Sequence, residues 1–331
     1  MGPAALMVGN PLFPLFRLVC LFCIALSATI GSFAQVPEAT PPPIEDEPTR
    51  PERVRTDLVT LTLTVTDLYG RYVSGLSRNA FTVIDNNREQ EISFFSDSDA
   101  PVSIGILFDV SGSMSGDKID RARTALRRFI NSSHPNDEYF LIAFNSRAQL
   151  LLDRTRDGDA VLQTLTLVQP RHNTALYDAV YLGLERVTRG SHQKKAMLVI
   201  SDGQDNASRY NFSEVRRLMR ESDVVTYAVG ILDVGDRGSM LGMQGQAFLD
   251  ELTTVTGGRA FYPTTAIEMD EIFERIAVEL RNQYSIGYTP TDFQPDGKWR
   301  RVRVRVKPPR GMSRLTVRSR EGYYATPQTS Y

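Results

Sequence analysis

Two short apolar runs, residues 104–108 and 196–200, constrain this chain more than any other feature, because each leads into an aspartate: Asp109 directly, and Asp202 one residue on, after Ser201. A strand that is apolar at every position, rather than at alternate ones, must be covered on both faces, which is the condition of a parallel sheet between two layers of helices. Around the runs the pattern alternates. Ile119, Leu126, Phe129 and Ile130 fall at near-helical spacing, 139–144 and 149–152 read as strands joined by a hairpin at Asn145-Ser146, and 176–187 reads as a helix. Further on, 224–229 is a strand, 248–255 a helix stopped by Gly257-Gly258, 259–262 a short extended piece and 266–281 a last helix. Alternating strands and helices predict an α/β domain over residues 101–283 with helices on both faces of a mainly parallel sheet.

The flanks follow a different period. Val59, Leu61, Leu63 and Val65 alternate with Thr60, Thr62, Thr64 and Thr66; 81–84 and 92–95 read as two more strands. After Tyr284, Val302, Val304 and Val306 alternate with arginines, and Leu315 and Val317 begin another alternating run. Each flank offers too few strands to close a core alone. The expectation is that 54–100 and 284–325 pair into one β domain with the α/β domain inserted between them, leaving 326–331 as a tail.

The N-terminus reads as an export signal, residues 1–34. Arg17 precedes the largely apolar run 18–28, and Ser32-Phe33-Ala34 supplies small residues where a signal peptidase cleaves, placing the cut after Ala34. The alternative is a retained membrane anchor. Cys20 and Cys23 follow Val19 and Phe22, bulkier than a lipoprotein signal prefers. Residues 35–53, with Pro41-Pro42-Pro43 and mixed charge, form a linker. The chain has 2 cysteines, both inside the signal, so the mature protein has no disulfide and no thiolate site. An exported chain without disulfides points to a bacterial periplasm or cell envelope. The sequons at Asn131, Asn206 and Asn211 carry little weight. A net charge of −1 gives no general attraction to nucleic acid or membrane.

Chemistry concentrates where the buried runs end. Asp109-Val110-Ser111-Gly112-Ser113 follows the first, Ser201-Asp202-Gly203 closes the second, and Thr174 lies in the loop before the helix at Leu176. Ligand sites in open parallel sheets form outside the carboxyl ends of the strands. Two carboxylates and three hydroxyls are hard oxygen donors suited to Mg²⁺ or Mn²⁺, and a partner carboxylate could replace one water of such an ion. In order and spacing, Asp109-x-Ser111-x-Ser113, Thr174 and Asp202-Gly203 resemble the metal-ion-dependent adhesion site of von Willebrand factor type A (VWA) domains, over residues 101–283. The lead-in Leu76-Ser77-Arg78-Asn79-Ala80-Phe81, followed by Ile92-Ser93-Phe94-Phe95, looks like that of exported bacterial VWFA-related proteins. The resemblance implies a Rossmann-like fold, with Asp109, Ser111, Ser113 and Thr174 on the metal and Asp202 bound directly or through water. Asp117 reads as a helix cap or first-turn acid, and Asp178 and Asp205 as supporting groups around the site.

Enzyme readings find little to stand on. His134, His172 and His192 accompany no recognisable nucleophile, Gly112 to Gly116 reads G-S-M-S-G with Met114 where a nucleophile elbow needs serine, and there is no phosphate-binding G-x-x-x-x-G-K-[ST]. The expectation is a non-catalytic binding or adhesion module for a protein ligand that offers a carboxylate to the metal. The alternatives are a structural organiser of an envelope assembly, whose metal only stabilises loops, and a metal-dependent hydrolase. One local feature stands apart: between Lys298 and Arg320 there are ten basic residues and no acidic one. It reads either as a charged strand edge that resists aggregation or as a contact for an anionic partner such as polysaccharide or lipid head groups.

Overall fold

A computed structural model of the protein describes residues 58–326, apart from 234, 236, 237 and 313. The export signal and linker read from the sequence lie outside the described residues. The chain opens with four strands, β1 (Val59–Thr66), β2 (Phe81–Asp85), β3 (Arg88–Gln90) and β4 (Ile92–Ser96). The central part then runs β5 (Val102–Asp109), α1 (Asp117–Ser132), β6 (Glu138–Phe144), β7 (Ala148–Thr155), α2 (Gly158–Thr166), α3 (Leu176–Thr188) and β8 (Lys194–Ser201). It continues through α4 (Phe212–Glu221), β9 (Val225–Gly230), α5 (Met240–Thr254), β10 (Arg259–Phe261) and α6 (Ala266–Arg281). Four strands close the chain: β11 (Tyr284–Tyr288), β12 (Trp299–Val306), β13 (Thr316–Arg318) and β14 (Gly322–Tyr324).

The central sheet has six strands in the order β10-β9-β8-β5-β6-β7, all parallel except the edge strand β7, which turns back on β6. Every residue of β5 is buried. Its even-numbered side chains, with Ala196, Leu198 and Ile200 of β8, pack under α1, α2 and α6. Leu107, Met197 and Val199 point the other way, under α3, α4 and α5. Both faces are apolar because both are covered, and each fully buried Ile, Leu or Phe contributes about 1.5–3 kcal/mol. Gly105 lets α3 approach the sheet: a Cβ there would lie 2.4 Å from Val187 Cγ2. Together these residues make an α/β fold with two helical layers around one sheet.

Three helices differ from the sequence reading. α2 and α4 have short apolar stripes that the period does not resolve, yet both are capped: Asp157 accepts from Ala160 N, and Asn211 and Glu214 form a reciprocal capping box. α5 starts at Met240 rather than at 248, because Gly242 and Gly245 break the apolar pattern while being buried.

The flanks build two four-stranded sheets, β13-β1-β11-β4 and β14-β12-β2-β3, and each sheet draws strands from both ends of the chain. Their inner faces share one core, with Leu61, Leu63 and Val83 from the first flank against Tyr284, Ile286 and Val302 from the second. The flanks meet the central part at Glu279 on α6, which is almost fully buried. Its Oε1 accepts from Thr64 Oγ1 at 2.9 Å and from Tyr227 OH at 2.8 Å, and pairs with Arg318; its Oε2 accepts from Tyr72 OH at 2.9 Å. One buried carboxylate thus ties β1, β9 and β13 to α6, with its charge compensated by the guanidinium. None of the described helices is long and apolar enough to cross a membrane.

Strand order makes the dependence of the flanks testable. β1 and β4 are both bonded to β11, which lies between them. A fragment of residues 54–100 therefore keeps β1 and β4 but loses the strand that joins them. It is expected to give no cooperative thermal transition by circular dichroism, whereas a dispersed, cooperatively melting fragment would refute the shared-domain expectation.

Candidate metal centre

Because β5 and β8 are adjacent and parallel, their C-terminal residues arrive side by side at one edge of the sheet. Asp109 ends β5 fully buried. Its Oδ1 accepts from Ser111 N at 2.8 Å and its Oδ2 from Ser201 Oγ at 2.6 Å. Ser201 Oγ in turn accepts from Gly203 N at 3.1 Å, so one hydroxyl fixes both loops. Nothing in the motif assigns Ser201 a task of its own; its signal is its place beside Asp202.

Asp202 is also fully buried. Gln204 N donates to its Oδ1 at 3.1 Å, while its Oδ2 is buried without a hydrogen-bond partner. Gly203 follows with φ +84°, and a Cβ there would lie 2.5 Å from Gly245 O, so the turn needs glycine for both conformation and space. Burial pushes the Asp109 carboxyl up to about 7, with the nearby Asp202 adding to the shift.

Ser111 and Ser113 stand with their hydroxyls 3.0 Å apart; Ser111 is buried and Ser113 exposed. Their loop is held by main chain: Gly112 N donates to His172 O at 3.0 Å and Arg171 N to Val110 O at 2.9 Å. His172, at φ 68°, thus serves the loop through its carbonyl, while the residue itself is exposed. Lys118 was not anticipated either. Buried in the first turn of α1, it donates to Ser113 O at 3.0 Å and pairs with Asp233 at 2.8 Å. Asp117 is the first residue of α1, after Gly116 at the N-cap, where its charge faces the positive end of the helix.

Thr174 is nearly buried. Its N–H donates to Asn206 Oδ1 at 2.8 Å, and its carbonyl accepts from Asn206 N and Ala207 N, which joins its loop to the loop after Asp202. Among the described residues none bonds its hydroxyl. Asp205 Oδ2 accepts from Tyr177 N at 3.0 Å and from Ser208 Oγ at 2.5 Å. Asp178 accepts from Arg209 N, Tyr210 N and Arg209 Nε. Both acids brace the segment that carries Asn206.

Three loops therefore converge: two buried carboxylates, one with an oxygen lacking any donor, among three hydroxyls. No group of three or more His, Cys, Asp or Glu gathers among the described residues. A cation here would rest on two carboxylates and neutral oxygens, a set that fits a hard divalent ion. Residues 104–204 match the family model of the von Willebrand factor type A domain.

The chain carries a VWA domain. It is similar to bovine inter-alpha-trypsin inhibitor heavy chain H4, at 22% identity over 207 residues, covering 58% of this chain and 22% of that one. It is also similar to an uncharacterised Synechocystis protein, at 23% over 108 residues, covering 32% and 26%. The chain thus spans about a fifth to a quarter of the length of these curated relatives. Similar solved structures include a von Willebrand factor type A protein from Catenulispora acidiphila, at 12% identity, 74% of this chain, 75% of that one and TM-score 0.46. Another is BatB from Bacteroides thetaiotaomicron, at 19%, 54%, 98% and 0.44.

Ser201 gives the candidate centre its test. Ser201→Ala removes the donor that orients Asp109, and losing such an outer partner weakens metal binding by about 10–100-fold. Calorimetric Mg²⁺ titration is expected to give that loss, together with a lowered melting temperature, because Asp109 Oδ2 and Gly203 N each lose a buried partner. Unaltered Mg²⁺ binding would mean that the bond does not position Asp109 for a metal.

Proposed function

We propose that the protein is an exported, non-catalytic binding module, which takes a protein ligand through a divalent cation held by Asp109, Ser111, Ser113, Thr174 and Asp202. Mg²⁺ is the ion this oxygen set suits best, with Mn²⁺ as a substitute. The observation that carries the reading is the free, buried Oδ2 of Asp202 next to the buried Asp109. A buried carboxylate oxygen left without a donor is costly, and a cation offsets that cost. Neutral hydroxyls leave such an ion electrophilic, so a carboxylate from the partner completes its shell. Asp178 and Asp205 belong to the surrounding support, holding the loop that positions Thr174.

The binding reading is supported over hydrolysis by where the histidines lie. His134 Nδ1 accepts from Asn136 N and His192 Nε2 contacts Asn136 O, before the N-terminal ends of β6 and β8, at the sheet edge opposite Asp109 and Asp202. His172 contributes its carbonyl. Export, with cleavage after Ala34 and residence in the periplasm or cell envelope, rests on the sequence of residues 1–34. Residues 54–100 and 284–325 form the β domain that carries the VWA domain, as the shared sheets suggest.

Thr174 separates holding the metal from using it. Its loop is the one ligand-bearing loop that neither central strand end supplies, and a neutral hydroxyl retains an ion less strongly than a carboxylate does. Full-length protein is used to capture a partner from envelope extract with Mg²⁺ and with chelator, and the captured partner and Mg²⁺ are then titrated against Thr174→Ala. Capture is expected only with Mg²⁺, and the variant is expected to lose more affinity for partner than for metal. Equal losses would mean that Thr174 merely holds the ion; chelator-independent capture would favour a structural role for the metal.

A further inference from the structure

The basic run that the metal centre leaves unused lies on β12, and the fold places it at an open strand edge. β12 pairs with β2 from Val302 to Val306, but with β14 only from Trp299 to Arg301. Val302 N donates to Glu321 O at 2.8 Å on the β14 side, and Lys307 N donates to Ala80 O at 2.8 Å on the β2 side. Main-chain groups alternate in direction along a strand. The N–H and C=O groups of Val304 and Val306 therefore point to the same side as those of Val302, where no strand among the described residues meets them.

The side chains alternate as well. Val302, Val304 and Val306 face the core of the paired sheets, while Arg301, Arg303 and Arg305 face out and are exposed. Neighbouring arginines have partners: Arg300 bonds Asp296, Arg318 bonds Glu279 and Arg320 pairs with Asp223. The guanidinium groups of Arg301, Arg303 and Arg305 have no hydrogen bond or ion pair among the described residues. Beside this edge runs a cleft of about 870 Å³, lined by β12, by residues 316–321 and by Arg259. Of the acidic residues in its wall, Asp67 bonds Arg71 and Asp250 accepts from Tyr262 OH, and Glu321 lines the same cleft as the arginines.

We propose that the β12 edge at Val304–Val306 binds an extended acidic peptide as an added strand, with Arg303 and Arg305 pairing to carboxylates on its alternate residues. Strand residues two apart lie about 6.6–6.8 Å from each other, so acids on every second residue of the peptide keep step with the arginines. Open main-chain groups select a peptide, because an acidic polysaccharide offers no matching N–H and C=O ladder. A flat bilayer does not enter a cleft. This site is separate from the metal centre and takes no part in it.

The test uses the full chain and a short fluorescent peptide of alternating Glu and Thr, followed by anisotropy. Binding is expected, weakening as salt rises, and Arg303→Ala/Arg305→Ala is expected to weaken it by about tenfold. Two further peptides carry N-methyl groups on the Glu amides or on the Thr amides, which changes neither the charge nor the protein. Only one set of amides faces β12 in an added strand, so one of these peptides is expected to lose binding and the other to keep it. Equal binding by both would reduce the site to a general polyanion surface and overturn the strand. Capture of polygalacturonate or phosphatidylglycerol vesicles without capture of the peptide would overturn it as well.

Discussion

The hydrogen bond from Ser201 Oγ to Asp109 Oδ2, 2.6 Å long, joins the ends of two adjacent strands, β5 buried at every residue and β8 at all but Lys195. Everything in the candidate centre follows from that adjacency. A parallel sheet sends all its C-terminal ends to one edge, and neighbouring strands bring their last residues within bonding distance. Two neighbouring strands, one ending in Asp109 and the other followed by Asp202, then put two buried carboxylates together where water is scarce. Burial and proximity alone would make that arrangement unfavourable, as the raised Asp109 carboxyl indicates. Hydroxyls and main-chain N–H groups stabilise part of it. One oxygen of Asp202 is left over.

The remaining loops are organised around this pair. The Ser111–Ser113 loop is bonded through main chain to the His172 loop, and Thr174 is fixed by Asn206 from the loop after Asp202. The three loops therefore hold one another. Lys118 adds a tie from α1 to the carbonyl of Ser113 and on to Asp233. Beyond the sheet, Glu279 connects α6 to strands from both flanks, so the layer that covers one face of the central sheet is anchored in the flanking sheets.

Much of this was legible in the sequence, and the rest was not for identifiable reasons. The strands of the central sheet announce themselves through uninterrupted apolar runs, and the aspartates at their ends mark the edge where side chains converge. The pairing of the two flanks could be argued because neither holds enough strands to bury a face, but the strand order, with β11 between β1 and β4, could not. Helices α2 and α4 were missed because their stability comes from caps as much as from an apolar stripe. The start of α5 was hidden by Gly242 and Gly245, which are helical because that helix packs against the Gly203 turn. At the candidate site, the residues with metal-ligating side chains are the ones a motif can point to. Ser201, Asn206, Lys118 and the His172 carbonyl are not, since a supporting bond depends on contacts across the fold.

The central claim is that Asp109 and Asp202 are arranged for a cation, and Asp109→Asn tests it most directly. The amide can accept from Ser111 N and donate to Ser201 Oγ, so both bonds survive with the serine hydroxyl turned, and the variant should melt close to the wild type. Isothermal calorimetry with Mg²⁺ is then predicted to show saturable binding by the wild-type protein and its loss, by more than about tenfold, in the variant. Equal binding by the two proteins, or none by the wild type, would contradict the account.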